Sequence, residues 1–398
     1  PQTHGPAPEK LMQALALYSD MPLLAAGGGL GYGAIYLRHR RTLRAEAERL
    51  YNSLEPAAKL LPDQSIFGYN PHALISLHQD GRVWRDPQAR GGIMFQRVGG
   101  VWLAAGDPIA PQTDWRQLVK SFMGAAQAVG AQPAFVPATE HFAGLARDWG
   151  YSILKVGASP YFDLQDWHPR GDRAKHLRWS VNRARREDLR VASTLFCPIL
   201  VEECRQVCVS WLSTRPAAAN FGWLFSLDPM CFAEHKRFFT ARNRNGDLVG
   251  LLAASPIAGR KGWYLEDVLR RGDSPDGTAD LLVFEALQFL RESGASLATL
   301  GTALLSSDGD DLSPKTDWHG TRRGLRLAKH ALADVYHFDG IRNFKAKFVP
   351  NRWEGEYAIV PASGAIVPFQ VVSSILKVML PDGILSILRK RKPATGCA

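Results

Sequence analysis

The chain has 398 residues, 46% of them hydrophobic, which is too long for one ordinary domain and long enough for two apolar cores. Its net charge is +10, with a pI near 9.5, which favours a polyanionic partner such as RNA or an anionic lipid surface. The five cysteines are odd in number and lack framework spacing, which argues against a disulfide-stapled fold.

The chain begins at Pro1, so it reads as a processed product or a piece of something longer. Residues 21–37, MPLLAAGGGLGYGAIYL, carry no charge and are followed at once by Arg38, Arg40, Arg41 and Arg44. Two readings stand: a short membrane segment with the rest of the chain on the cytoplasmic side, or a glycine-rich buried helix. From residue 62 the pattern becomes α/β. ALISL (73–77), GIMFQRV (92–98), VWLAAG (101–106) and PAFVPA (133–138) read as strands, and 114–129 and 140–149 as amphipathic helices. SILKVG and YFDL follow as two further strands.

The later part repeats this grammar. Residues 203–212 and 230–239 read as helices, and 248–259 and 262–269 as a strand hairpin. Residues 279–294 form a strong helix with a glycine stop, and 296–301 a strand. The expected fold class is therefore α/β (α+β), two similar halves, each a mixed sheet flanked by helices. The domain reading is 1–61 for an N-terminal segment, 62–195 and 196–365 for the two domains, and 366–398 for a basic amphipathic tail ending in Arg389-Lys390-Arg391-Lys392. That tail suits either an anionic bilayer or helix packing.

Three stretches could carry chemistry. In KHLRWSVNRARREDLRV (175–191), helical spacing puts Lys175, Arg178, Asn182 and Arg185 on one face, with Arg186 adjacent. Such a row suits phosphates, or is simply a solvated face. In YLEDVLRRGDSPDGTADLLVFEA (264–286), Glu266, Asp267, Arg270 and Arg271 sit at the end of a strand, and Asp280 opens the following helix. A carboxylate there can orient or deprotonate a hydroxyl, and an arginine can hold a phosphate or an oxyanion. The plainer reading is an Asp267–Arg270 ion pair with a helix cap at Asp276 or Thr278. In residues 335–360, aromatics alternate with cations, and Lys345 and Lys347, two apart, would face different ways on a helix.

Cys204 and Cys208 share a helix face, and Cys231 and His235 have the same spacing. Zinc needs four converging ligands, so the expectation is reduced thiols in a cytosolic compartment and no metal. No Walker A loop, G-x-S-x-G elbow or H-E-x-x-H is present, and the 271–279 turn lacks the glycine pattern an acyl-CoA pyrophosphate needs.

GDPI (106–109), LRWSVNRARRE (177–187), EDVLRRGDSPDGTADLLVFEAL (266–287), LATLGTALLS (297–306) and YHFDGIRNFKAKFVPNRWE (336–354) together resemble the synthase region of the aminoacyl-phosphatidylglycerol synthases, the multiple peptide resistance factor family. The resemblance spans about residues 65–362. It implies tandem acetyltransferase-like (GNAT) domains. It also implies transfer of lysine or alanine from charged tRNA to the headgroup hydroxyl of phosphatidylglycerol, which lowers membrane negative charge and gives resistance to cationic peptides. It implies Asp267 and Arg270 as a catalytic Asp-x-x-Arg pair, Asp280 as the acidic helix-start residue, and Lys345 or Lys347 as the late lysine. Arg178, Asn182, Arg185 and Arg186 would then hold tRNA, and Glu266, a departure from the family pattern, becomes a candidate for selecting lysine. No cofactor beyond aminoacyl-tRNA is expected. The implied partners are charged tRNA, phosphatidylglycerol and the membrane surface, and the implied location is the cytoplasmic face of a bacterial inner membrane. The family's many-helix flippase half has no counterpart in these residues. The alternatives are a related tRNA-dependent transferase with another acceptor, an acyl-CoA transferase, and a non-enzymatic RNA- or membrane-binding protein.

Overall fold

Apolar residues through 93–104 make a hairpin, one strand in from the edge of a sheet that organises the described chain. The computed structural model describes residues 29–78, 80–215, 222–306, 308, 338–362 and 369–381. The strands are β1 (Arg82–Trp84), β2 (Ile93–Val98), β3 (Val101–Ala104), β4 (Gln132–Thr139), β5 (Ser152–Asp163), β6 (Arg190–Thr194), β7 (Arg237–Arg242), β8 (Leu248–Ile257), β9 (Gly262–Arg270), β10 (Leu297–Thr299), β11 (Ala303–Leu304) and β12 (Arg352–Val360). They form one 12-stranded sheet in the order β1-β2-β3-β4-β12-β5-β10-β9-β8-β7-β6, with β11 paired to β5. Two neighbouring pairs, β3/β4 and β9/β10, are parallel; the other paired strands run antiparallel.

The helices are α1 (Gly29–Ser53), α2 (Leu61–Phe67), α3 (Ala73–Ser76), α4 (Trp115–Ala128), α5 (Glu140–Asp148), α6 (Lys175–Arg186), α7 (Pro198–Thr214), α8 (Thr278–Glu292), α9 (Phe338–Ala346) and α10 (Phe369–Met379). On one face of the β2–β4 region, Trp115, Phe122 and Phe142 from α4 and α5 enclose a core with Phe95 and Phe135. The opposite face carries α3, Trp223, Leu224 and Val371 of α10. At the other end of the sheet, Leu177 and Val181 of α6 and Leu282 and Leu287 of α8 cover one face. Leu200, Cys204 and Val207 of α7 cover the other.

The mixed sheet flanked by helices is the expected class. The sheet runs unbroken past residue 195, and β12, late in the chain, inserts between β4 and β5. Three element assignments need correction. Residues 73–76 are helical, not a strand, because this short run is buried on all sides and has no alternation to read. Residues 230–239 are not a helix. A 3-10 turn at Ala233–His235 leads into β7, where Phe238 and Phe239 pack on opposite faces. SILKVG and YFDL belong to one long strand, β5. Of the 21–37 segment, residues 21–28 lie outside the described residues, and the remainder opens α1. The basic cluster at 389–392 also lies outside them. Among the described residues, no helix is long and apolar enough to cross a membrane.

Candidate active site

One extra residue in β9 builds the acidic centre of the site. Asp267 pairs with Ala253 and Leu265 with Ala254, so Glu266 is left over as a β-bulge. A bulge points two successive side chains to one side of the sheet. Leu265 packs on the α8 side, whereas Glu266 and Asp267 both turn to the α7 side. There Glu266 Oε1 forms a buried ion pair with Lys236, and Ser255 Oγ donates to its Oε2 at 2.7 Å. Asp267 Oδ2 is buried and has no hydrogen-bond partner among the described residues. Burial, then the Glu266 carboxylate, pushes the Asp267 carboxyl well above the usual aspartate range; Cys208 and Asp228 add to this and Lys236 opposes it.

Arg270 does not pair with Asp267. Strand alternation returns it to the α8 side, opposite Gly250, where a Cβ would meet Thr278 and Leu282. Its guanidinium donates to Ser274 Oγ at 3.1 Å and to the Arg271 carbonyl at 3.5 Å. The plain Asp–Arg ion pair is therefore not what this stretch makes. The cap of α8 is Gly277 in a left-handed conformation (φ 88°) rather than Asp276 or Thr278, and Asp276 instead faces Arg183 at 3.0 Å.

Asp280 lies on the α8 side as well. It is buried, accepts from Ser180 Oγ of α6, and pairs with Lys347 Nζ at 2.5 Å. Lys345 goes elsewhere: its Nζ donates to the carbonyls of Gly301 and Thr302, both at 2.7 Å. Burial lowers the Lys345 ammonium to about 7, with the Glu356 carboxylate opposing. Asp267, the Asp280–Lys347 pair and Lys345 thus occupy three separate environments. On α6, Lys175, Arg178, Asn182, Arg185 and Arg186 are all exposed, as a phosphate-binding row requires. Arg185 faces Glu285 at 2.7 Å, and Arg178 donates to the Gly171 carbonyl at 2.8 Å.

Sequence reasoning missed a second polar centre, in the middle of the sheet. Glu356 of β12 is buried and accepts from Ser159 Oγ, and from Thr302 Oγ1 at 2.6 Å. His72 Nε2 lies 3.1 Å from the same Thr302 hydroxyl. Burial, then the Lys345 charge, lowers the His72 imidazole to about 3, so it is neutral at ordinary pH. Nearby, Asp107 of the GDPI motif binds Asn70 at 3.0 Å and the Thr139 hydroxyl at 2.6 Å, and burial raises its carboxyl. A glutamate placed directly before the apolar run of β12 was the available signal. Lys236 was hidden in a stretch that read as a helix.

A profile for the family described as phosphatidylglycerol lysyltransferase, C-terminal, matches residues 67–360. The chain belongs to that phosphatidylglycerol lysyltransferase C-terminal family. Among curated relatives, the phosphatidylglycerol lysyltransferase of Bacillus subtilis is 25% identical over 294 residues, covering 73% of this chain and 33% of the relative. The lysylphosphatidylglycerol biosynthesis bifunctional protein LysX of Mycolicibacterium vanbaalenii is 24% identical over 300 residues, covering 73% of this chain and 27% of its own length. This lysyltransferase-family chain thus spans about a third or less of either relative. Among solved structures, L-PGS from Bacillus licheniformis superposes with a TM-score of 0.68 at 22% identity, over 82% of this chain and 96% of that one. That likeness shows a shared fold.

Proposed function

We propose that this chain transfers lysine from lysyl-tRNA to the headgroup hydroxyl of phosphatidylglycerol. The family membership sets the reaction class, and the observation that carries the assignment of a base is the buried Oδ2 of Asp267, unpartnered among the described residues. A carboxyl with a raised pKa is a stronger base than a free aspartate, suited to taking a proton from an alcohol. The acceptor hydroxyl loses its proton to Asp267 and its oxygen attacks the lysyl ester carbon. The new ester C–O bond forms as the bond to the tRNA ribose oxygen breaks, and that oxygen receives the proton. One ester replaces another, so the step is nearly isoenergetic, and catalysis rests on positioning and charge stabilisation.

Arg270 lies on the opposite face of the sheet from Asp267 and Lys345 is committed to the Gly301 and Thr302 carbonyls, so this reading gives neither a part at the Asp267 carboxylate. The exposed cations of α6 receive the tRNA phosphates. Glu266, committed to Lys236, acts by holding the bulge and setting the basicity of Asp267; it does not recognise the lysine side chain. The lipid acceptor places the reaction at a membrane surface on the side where charged tRNA occurs. Lysine added to an anionic lipid reduces the attraction of cationic peptides.

The test is thin-layer chromatography of lipids after incubation with phosphatidylglycerol vesicles and labelled lysyl-tRNA or alanyl-tRNA. Lysyl lipid should form with the wild type and fall by about 10²-fold or more in Asp267→Ala. Full transfer by a folded Asp267→Ala protein, or label in alanyl lipid alone, would refute the assignment.

A further inference from the structure

We propose that His78, Asp228 and Cys231 form a zinc-binding site that ties the turn after α3 to the segment entering β7. His78 Nε2 lies 3.3 Å from Asp228 Oδ2, and the donor atoms of all three residues lie within 4.8 Å of one another. Tetrahedral zinc with nitrogen, oxygen and sulfur ligands holds its donors roughly 3.4–3.7 Å apart. The His78–Asp228 pair is already close to that spacing, and the thiol lies at most roughly 1 Å beyond it.

The donor set selects the metal. A thiol, an imidazole and a carboxylate suit zinc, whereas magnesium and calcium take oxygen ligands. Burial also fits a bound ion with an entry path. The His78 and Asp228 side chains are 51% and 39% exposed, while Cys231 forms the floor at 5%. The Phe232 ring stands edge-on to His78, with centroids 6.2 Å apart, and gives the site an apolar wall. The nearby cation Lys236 does not compete for Asp228, because it is committed to Glu266. Three protein ligands leave the fourth position to water.

The donors come from segments about 150 residues apart in sequence, so a bound ion adds a cross-link between two distant parts of the chain. Asp228 and Cys231 precede the Lys236 that holds Glu266, so the staple also fixes the approach to the Asp267 bulge. This inference stands on the three side chains and does not rest on the transferase reading.

The experiment uses the full chain without a histidine tag, stripped with a chelator and titrated with zinc by calorimetry and with cobalt by absorption. One ion should bind per chain, with a thiolate-to-cobalt charge-transfer band and a raised Tm. Cys231→Ser should lose the band, and His78→Ala, at an exposed position that leaves the fold intact, should weaken zinc by at least about 10-fold. No saturable zinc, or zinc bound equally well by His78→Ala, overturns the proposal. A band that survives in Cys231→Ser would place the metal on other thiols and overturn it as well.

Discussion

Lys345 and Lys347 stand two residues apart and serve different halves of the interior: Lys347 Nζ pairs with Asp280 on α8, and Lys345 Nζ crosses to the carbonyls of Gly301 and Thr302. The two should therefore respond differently to the same substitution. Lys347→Met leaves the buried Asp280 with Ser180 as its remaining side-chain partner among the described residues, and should lower stability by about 1–3 kcal/mol in urea unfolding. Lys345→Met removes a costly buried cation and should lower it less. Equal losses would mean that the two lysines share one environment.

The pH dependence of stability follows from Lys345. Its folded pKa is about 7 against an ordinary 10.5, so between those values the unfolded chain binds a proton that the folded chain does not. Stability should rise with pH through that window, and the rise should be smaller in Lys345→Met. His72 acts with the same sign at lower pH. Lowered to about 3 from 6.5, it makes stability fall as acid is added through that interval, and His72→Gln should flatten the slope. Urea midpoints measured across pH for the wild type and each variant decide both points.

The Lys236–Glu266 pair has side chains only 0% and 2% exposed, so breaking it strands a charge. Lys236→Ala should destabilise by about 3–5 kcal/mol, and adding Glu266→Leu to Lys236→Met should recover much of the loss. A double variant no more stable than Lys236→Ala would show that the pair is not the source of the effect.

Because the Asp267 carboxyl is raised, transfer should carry an acidic limb well above the pH of about 4 expected for a free aspartate, with activity climbing as the group ionises. Glu266→Gln removes the neighbouring negative charge and should move the limb to lower pH. An unmoved limb in that variant would detach the pH profile from this carboxylate pair.

On α6, Lys175 and Arg186 are exposed and have no ion pair among the described residues, whereas Arg183 and Arg185 face Asp276 and Glu285. Arg186→Glu should weaken tRNA binding across all sequences and reduce its salt slope by about one unit, while Asn182→Ala should leave the slope unchanged. Filter binding over a range of salt concentrations measures this.

Where a pattern was long and strongly periodic, the sequence was enough. Residues 278–292 and 175–186 are helices with the faces their spacing predicts, and the 248–270 hairpin is in place. Short runs failed. Residues 73–76 carry no period, and the 230–239 stretch mixes apolar and charged residues at helical spacing although β7 runs through its end. The site divided in the same way. Local chemistry marked Glu266, Asp267, Arg270, Asp280 and the late lysines, but their partners come from afar: Lys236 for Glu266, Ser180 for Asp280, and the Gly301 and Thr302 carbonyls for Lys345. Spacing along the chain cannot report such pairings, and it suggested an Asp267–Arg270 contact that the strand geometry forbids.

The bulge at Glu266 adds a carboxylate without changing the parity of the strand. Without the extra residue Asp267 would follow Leu265 directly and still face α7, with Leu265 opposite Ala254 and Asp267 opposite Ala253. Deleting Glu266 would therefore restore a regular ladder and leave every later side chain of β9 on its present side. What the deletion removes is the second carboxylate of the pair, and with it the partner of Lys236. A variant library of this segment should therefore tolerate loss of residue 266 once Lys236 is made apolar, whereas one residue added after Asp267 would carry the rest of β9 to the wrong face.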